Sequence, residues 1–194
     1  MQQLREDLRL VYDWIAPGSK VLDLGCGDGQ LLAALVQDKG CQGYGVELDT
    51  DSVIAAMNKG VNVIQVDLEQ GLRSAFTDHS FDVVVLSQTI QAMKNTEHIL
   101  YEMKRVARQA IVTFPNFGYW RNRVQIAQGR MPVSESMPYE WYNTPNIHWC
   151  TLADFDALCA KTGLSVLERA VMTGGQRIEF MPNLLGSLAF YRVG

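Results

Sequence analysis

No apolar run in the 194 residues approaches the ~20 needed to cross a bilayer. The opening stretch QQLREDLRLVYDWI is charged throughout and lacks the hydrophobic region of a signal peptide. Both absences predict a cytoplasmic protein with no membrane partner. Excess charge is missing as well. The 17 Lys and Arg against 21 Asp and Glu leave a net charge of -4, which gives no global reason to bind nucleic acid or an anionic membrane. Four cysteines occur, Cys26, Cys41, Cys150 and Cys159, without a C-x-x-C pair and without a histidine at a zinc-like interval. That pattern offers no metal site and predicts reduced, mostly buried thiols. There is no internal repeat, low-complexity tract or long Gly/Pro/Ser linker. With 47% hydrophobic residues, the chain is expected to form one domain over residues 1–194.

What is present is an alternation of short apolar runs and helical patterns. Leu4, Leu8, Val11 and Ile15 are spaced for an amphipathic helix within residues 1–16, stopped at Pro17 and Gly18. KVLDLG, QGYGVEL, VNVIQVD, FDVVVLS and QAIVTFP then read as strands, with QLLAALVQDK, DSVIAAMNK and TEHILYEMKRVA as helices. This βαβ order predicts an α/β fold with a doubly wound, mostly parallel sheet. Residues 116–150 carry three of the four tryptophans and half of the six prolines and read as an insertion or lid. Thr151 and Asp154 form a helix-capping pattern, and Gly163 marks that helix's stop. LSVLERAVM and SLAFYRV complete seven strands as an antiparallel edge pair.

Gly25, Gly27 and Gly29 follow the first strand at alternate positions, with Asp23 two residues ahead. A glycine-rich turn between strand and helix presents backbone N–H groups at the point where open α/β sheets bind ligands. The spacing is G-x-G-x-G rather than the G-x-G-x-x-G of dinucleotide enzymes, which argues against a nicotinamide cofactor. It resembles the first motif of class I S-adenosylmethionine-dependent methyltransferases, whose fold is Rossmann-like. That resemblance implies an acid at Asp23 for the ammonium of the ligand's amino-acid tail and Glu47, ending the second strand, for the ribose hydroxyls. It further implies Asp67, ending the third, for the adenine amine, with Leu68 lending an amide and an apolar wall. Cys26, Leu48, Ser87 and Gln88 complete the expected cofactor set, for S-adenosylmethionine or S-adenosylhomocysteine.

Later segments are more specific. FDVVVLSQTIQAM, VTFPNFGYWRNR and WYNTPNIHWCTLADF resemble the MetW proteins of bacterial methionine biosynthesis, nearly end to end. The resemblance implies a methyltransferase-like fold that accompanies homoserine O-acyltransferase. It does not decide whether methyl transfer occurs.

SQTIQ is not the N/D-P-P-Y/F motif used on exocyclic or amide nitrogens, which weakens DNA-adenine and protein-glutamine methylation as readings. His148, in NIHWCT, is the candidate general base. Gln91, Trp120, Arg121 and Arg123, with Arg130 nearby, are candidates to grip a small anionic substrate or to form a partner surface. MPNLLG adds an expected exposed apolar loop. Two functions follow: a cofactor-binding partner of the acyltransferase, or a working methyltransferase on a small anionic metabolite. A closed pocket around His148 favours the second, and an exposed Trp/Arg/Met surface the first.

Overall fold

The computed structural model describes residues 4–194, so the first three residues of the helix expected over 1–16 lie outside the described range. Within it, helix α1 (Glu6–Trp14) leads into β1 (Lys20–Leu24), α2 (Gln30–Lys39), β2 (Gln42–Glu47), α3 (Thr50–Asn58) and β3 (Asn62–Gln65). After a 3-10 turn at Leu68–Gln70 come β4 (Phe81–Ser87), a second such turn at Ile90–Ala92, α4 (Thr96–Val106) and β5 (Ala107–Pro115). The chain ends with α5 (Trp120–Ala127), α6 (Leu152–Thr162), β6 (Val166–Thr173), β7 (Gln176–Arg177), α7 (Pro182–Leu185) and β8 (Leu188–Val193). The sheet order is β3-β2-β1-β4-β5-β8-β6-β7. Neighbours from β3 to β5 are parallel, and β8 runs antiparallel to both β5 and β6.

The sheet has eight strands, one more than the seven expected. The extra strand is β7, whose two residues pair with Met172 and Thr173 across the turn Gly174–Gly175. Both glycines have positive φ, 54° and 74°, the backbone that two-residue hairpins require and that other residues resist. A strand so short has no hydrophobic period to read. The last strand, β8, lies inside the sheet between β5 and β6, with β6 and β7 outside it.

Strand alternation divides the core into two layers. Leu22 and Leu24 of β1 belong to the cluster holding Leu100 and Met103 of α4 and Phe155 of α6. Val21 belongs to the opposite cluster, with Leu8 and Val11 of α1 and Leu31 and Leu35 of α2. Asp23 is in phase with Val21 and is therefore carried into an apolar layer, where it is 4% exposed. Strand order reverses between β1 and β4, so the carboxyl ends of these two strands border the crevice typical of ligand sites in such sheets.

Candidate functional site

The three glycines after β1 do different work. Gly25, Gly27 and Gly29 all have positive φ (73°, 52° and 73°), which side chains disfavour. A Cβ on Gly25 would lie 2.8 Å from Thr89 Oγ1, and one on Gly29 would lie 2.9 Å from the Ala56 Cβ of α3. Those two glycines are explained by the protein's own packing. A Cβ on Gly27 would meet nothing within 4 Å, so the open space at this turn is beside Gly27.

Two cavities meet here, sharing Gly25 and Thr89. The first, about 520 Å3, is lined by Asp23, Cys26, Gly27, Ser87 and Gln88 together with Arg5 and Leu8 from the N-terminal segment. The second, about 320 Å3, is lined by Glu47, Leu48, Asp67 and Leu68, with Met93 and Lys94. Of the residues expected to hold a cofactor, all but Gly29 line one of the two; Gly29 faces α3 instead. Arg5, Leu8, Thr89, Met93 and Lys94 carried no motif signal, because packing of remote segments puts them there.

Asp23 Oδ1 is buried and has no hydrogen-bond partner among the described residues. Burial, followed by the negative charge of Glu47 and opposed by Arg5, pushes its carboxyl from 3.8 up to about 7. A cation placed at that oxygen would relieve both causes. Glu47 is already engaged: Oε2 accepts from Gly27 N (2.8 Å), and Oε1 accepts from Leu48 N (2.7 Å) and Asp49 N (3.0 Å). The carboxylate thus ties the β2 end to the glycine turn and keeps acceptor capacity on Oε2. Asp67 Oδ1 caps the 3-10 turn by accepting from Glu69 N (2.9 Å), and no partner to Oδ2 is found among the described residues. Cys26 is buried against Gly45, and burial pushes its thiol up to about 12, so it stays protonated.

Ser87 Oγ pairs with Thr113 Oγ1 at 3.0 Å. Gln88 has φ of 50° and is pinned there: its N–H donates to Thr113 O and Oγ1 (2.9 and 3.0 Å), and its Nε2 donates to Asp7 Oδ2 (2.6 Å). A non-glycine residue held in this region marks a position over-determined by its surroundings.

The remaining expected residues stand elsewhere. His148 is exposed, with Nε2 3.5 Å from Lys94 O, and lines a different cavity of about 380 Å3 together with Gln91 and Cys150. Gln91 receives the backbone N–H groups of Ile147 and His148 on its carbonyl (2.8 and 2.9 Å), and its Nε2 donates to Gln88 O (2.7 Å). Trp120 is 41% exposed, with the Arg121 guanidinium 5.5 Å from its ring, and Arg123 Nε donates to Gly118 O (2.6 Å). These three residues of α5 line none of the cavities described, and Arg130 is likewise exposed. The surface of residues 116–150 is strongly aromatic. Trp141 and Tyr142 are each 71% exposed, and Phe180, beside α7, is 74% exposed.

A model of the family described as "Methionine biosynthesis protein MetW" matches residues 5–193. A relative from Rhodopirellula baltica, named bifunctional methionine biosynthesis protein MetXA/MetW, is 39% identical over 188 residues. The match covers 91% of this chain but spans only 30% of that relative's length. Among solved structures, a SAM-dependent methyltransferase from Thermotoga maritima superposes with a TM-score of 0.70 at 19% identity, covering 97% of this chain and 86% of that one. Magnesium protoporphyrin IX methyltransferase from Synechocystis, with bound SAH, superposes at 0.64 and 17% identity, covering 96% and 78%. At such identities the two structures speak for the fold.

Proposed function

The chain belongs to the MetW family, and from that premise we propose that it binds S-adenosylmethionine or S-adenosylhomocysteine in the paired cavities and acts with homoserine O-acyltransferase. The observation that carries the cofactor reading is the orphaned, buried Asp23 Oδ1 beside the open Gly27. A buried polar atom without a partner is costly, and a ligand ammonium supplies what it lacks. In this reading Asp23 takes the amino-acid tail and Glu47, through its remaining Oε2 capacity, takes a ribose hydroxyl. Asp67 Oδ2 accepts from the adenine amine, while Leu48 and Leu68 border the ring. When bound, S-adenosylmethionine supplies an electrophilic sulfonium methyl group.

The partnership is supported by the fused MetXA/MetW relative. The exposed aromatic side chains of residues 116–150 are of the kind that anchor protein interfaces. The alternative, a working methyltransferase on a small anionic metabolite, has less behind it, because His148 and the arginines of α5 line neither cavity. Both proteins would then meet in the cytoplasm. Co-purification of the chain with a homoserine O-acyltransferase, followed by mass spectrometry of protein and small ligand, tests the reading. Recovery of the enzyme with an adenosyl ligand is expected. Recovery of neither, with cofactor turnover on small anions, would favour the alternative.

A further inference from the structure

Beside the Asp23 cavity lies another, of about 300 Å3, that none of the preceding roles uses. The two have Arg5 and Gln88 in common, so they are adjoining chambers. Three charged side chains line the second: Arg5, Asp7 and Glu135. Met172, Leu188 and Phe190 give it apolar surface. Its volume is at the lower end of small-ligand sites.

The polar inventory defines what such a chamber accepts. Asp7 Oδ2 is occupied by Arg5 Nη2 at 3.3 Å and by Gln88 Nε2 at 2.6 Å. Its Oδ1 has no partner among the described residues, and neither has the carboxylate of Glu135. A guanidinium has five N–H donors, and the Asp7 contact uses one nitrogen of Arg5. An anion would therefore face two carboxylates and a guanidinium already committed to one of them. A simple amine would leave the other Arg5 donors unused. One small molecule carrying both an ammonium and a carboxylate satisfies all three side chains, and the apolar surface suits a short side chain.

We propose that this chamber binds a small α-amino-acid zwitterion, its ammonium between Asp7 and Glu135 and its carboxylate on Arg5, next to the cofactor cavity. Gln88 links the two chambers. It lines both, and its side-chain amide donates to Asp7 Oδ2 (2.6 Å). The proposal rests on the cofactor reading only for what fills the neighbouring cavity.

The test is calorimetric, on the full chain. S-adenosylhomocysteine is titrated first. L-homoserine, L-methionine, succinate and n-butylamine are then titrated at saturating S-adenosylhomocysteine, which blocks the Asp23 subsite. At least one amino acid is expected to bind, about tenfold or more tighter than succinate or butylamine, as the loss of one charge-assisted contact implies. Glu135→Gln, a change at an exposed side chain, is expected to weaken that amino acid about tenfold while leaving S-adenosylhomocysteine affinity unchanged. Failure of both amino acids to bind, equal binding of succinate or butylamine, or indifference to Glu135→Gln would overturn the proposal. If S-adenosylhomocysteine itself does not bind, the cofactor reading fails separately. The amino-acid titration with and without Glu135→Gln still decides this one, because Glu135 lines only the second chamber of the pair.

Discussion

At the scale of single residues, Asp23 makes its own contribution to the pH dependence, opposite in sign to that of the carboxylates Asp28, Asp49, Glu102 and Asp154, which hydrogen bonds hold low. Its carboxyl ionises near 3.8 in the unfolded chain and near 7 in the fold. Between those values the folded state holds the extra proton, so stability falls as pH rises and the loss is complete above about 7, at up to about 1.4 kcal/mol per pH unit. Thermal denaturation at several pH values should show this slope, and Asp23→Asn should flatten it. A ligand ammonium at Asp23 favours the ionised form, so binding of S-adenosylhomocysteine at pH 6.5 should release protons. Binding enthalpies that do not differ between phosphate and Tris buffers would contradict that contact. The glycines separate fold from site. Gly29→Ala should cost about 1–3 kcal/mol of stability, from the left-handed backbone and the clash with α3. Gly27→Ala should cost less, since its Cβ meets nothing, and should act mainly on cofactor affinity. The placement of Asp23, Glu47 and Asp67 along one edge of the sheet was legible in the sequence because each sits at or just beyond a local apolar run: Asp23 near the end of β1, Glu47 last in β2, and Asp67 two residues past β3. Arg5 and Asp7 were not, because only the packing of α1 over the sheet brings them to the cavities.

At the scale of elements, the caps of α6 are written in the local sequence, whereas the two-residue strand of the last hairpin carries no apolar period of its own. Thr151 and Asp154 form a capping box at the start of α6, and Gly163 ends that helix with φ of 68°. Thr151→Ala should lower stability by about 1 kcal/mol without changing S-adenosylhomocysteine affinity, because α6 packs on the sheet face opposite α1 and α2. A denaturation midpoint unchanged by the substitution would argue against the cap. The hairpin β6–β7 escaped the apolar-run reading, although Gly174–Gly175 is a recognised turn signal flanked by pairing residues. Its consequence reaches the site, since both glycines line the chamber that Glu135 borders. For residues 116–150, composition flagged an unusual segment but not its path. No periodicity foretold that His148 and Trp120 would lie away from the glycine turn.

At the scale of the whole molecule, the sheet order brings β1, β2 and β3 side by side with β4, so that acids 20 or more residues apart in sequence end along one crevice. Among the described residues no helix is long and apolar enough to cross a membrane. The exposed aromatic surface and the paired cavities share one chain, and thermodynamic linkage then makes a reciprocal demand. If S-adenosylhomocysteine changes affinity for the acyltransferase by some factor, the acyltransferase must change S-adenosylhomocysteine affinity by the same factor. Trp141→Ala, at a side chain 71% exposed, should weaken the partner's binding about tenfold or more, as interface anchors do, with no change in melting temperature. The claim on which the account turns is that the carboxylates at the strand ends hold an adenosyl amino acid. Titration calorimetry of the wild-type chain, Asp23→Asn and Asp67→Asn with S-adenosylhomocysteine measures it. One-to-one binding weakened about tenfold or more by each substitution is the predicted result, whereas no binding by the wild type, or equal affinity in all three proteins, would contradict it.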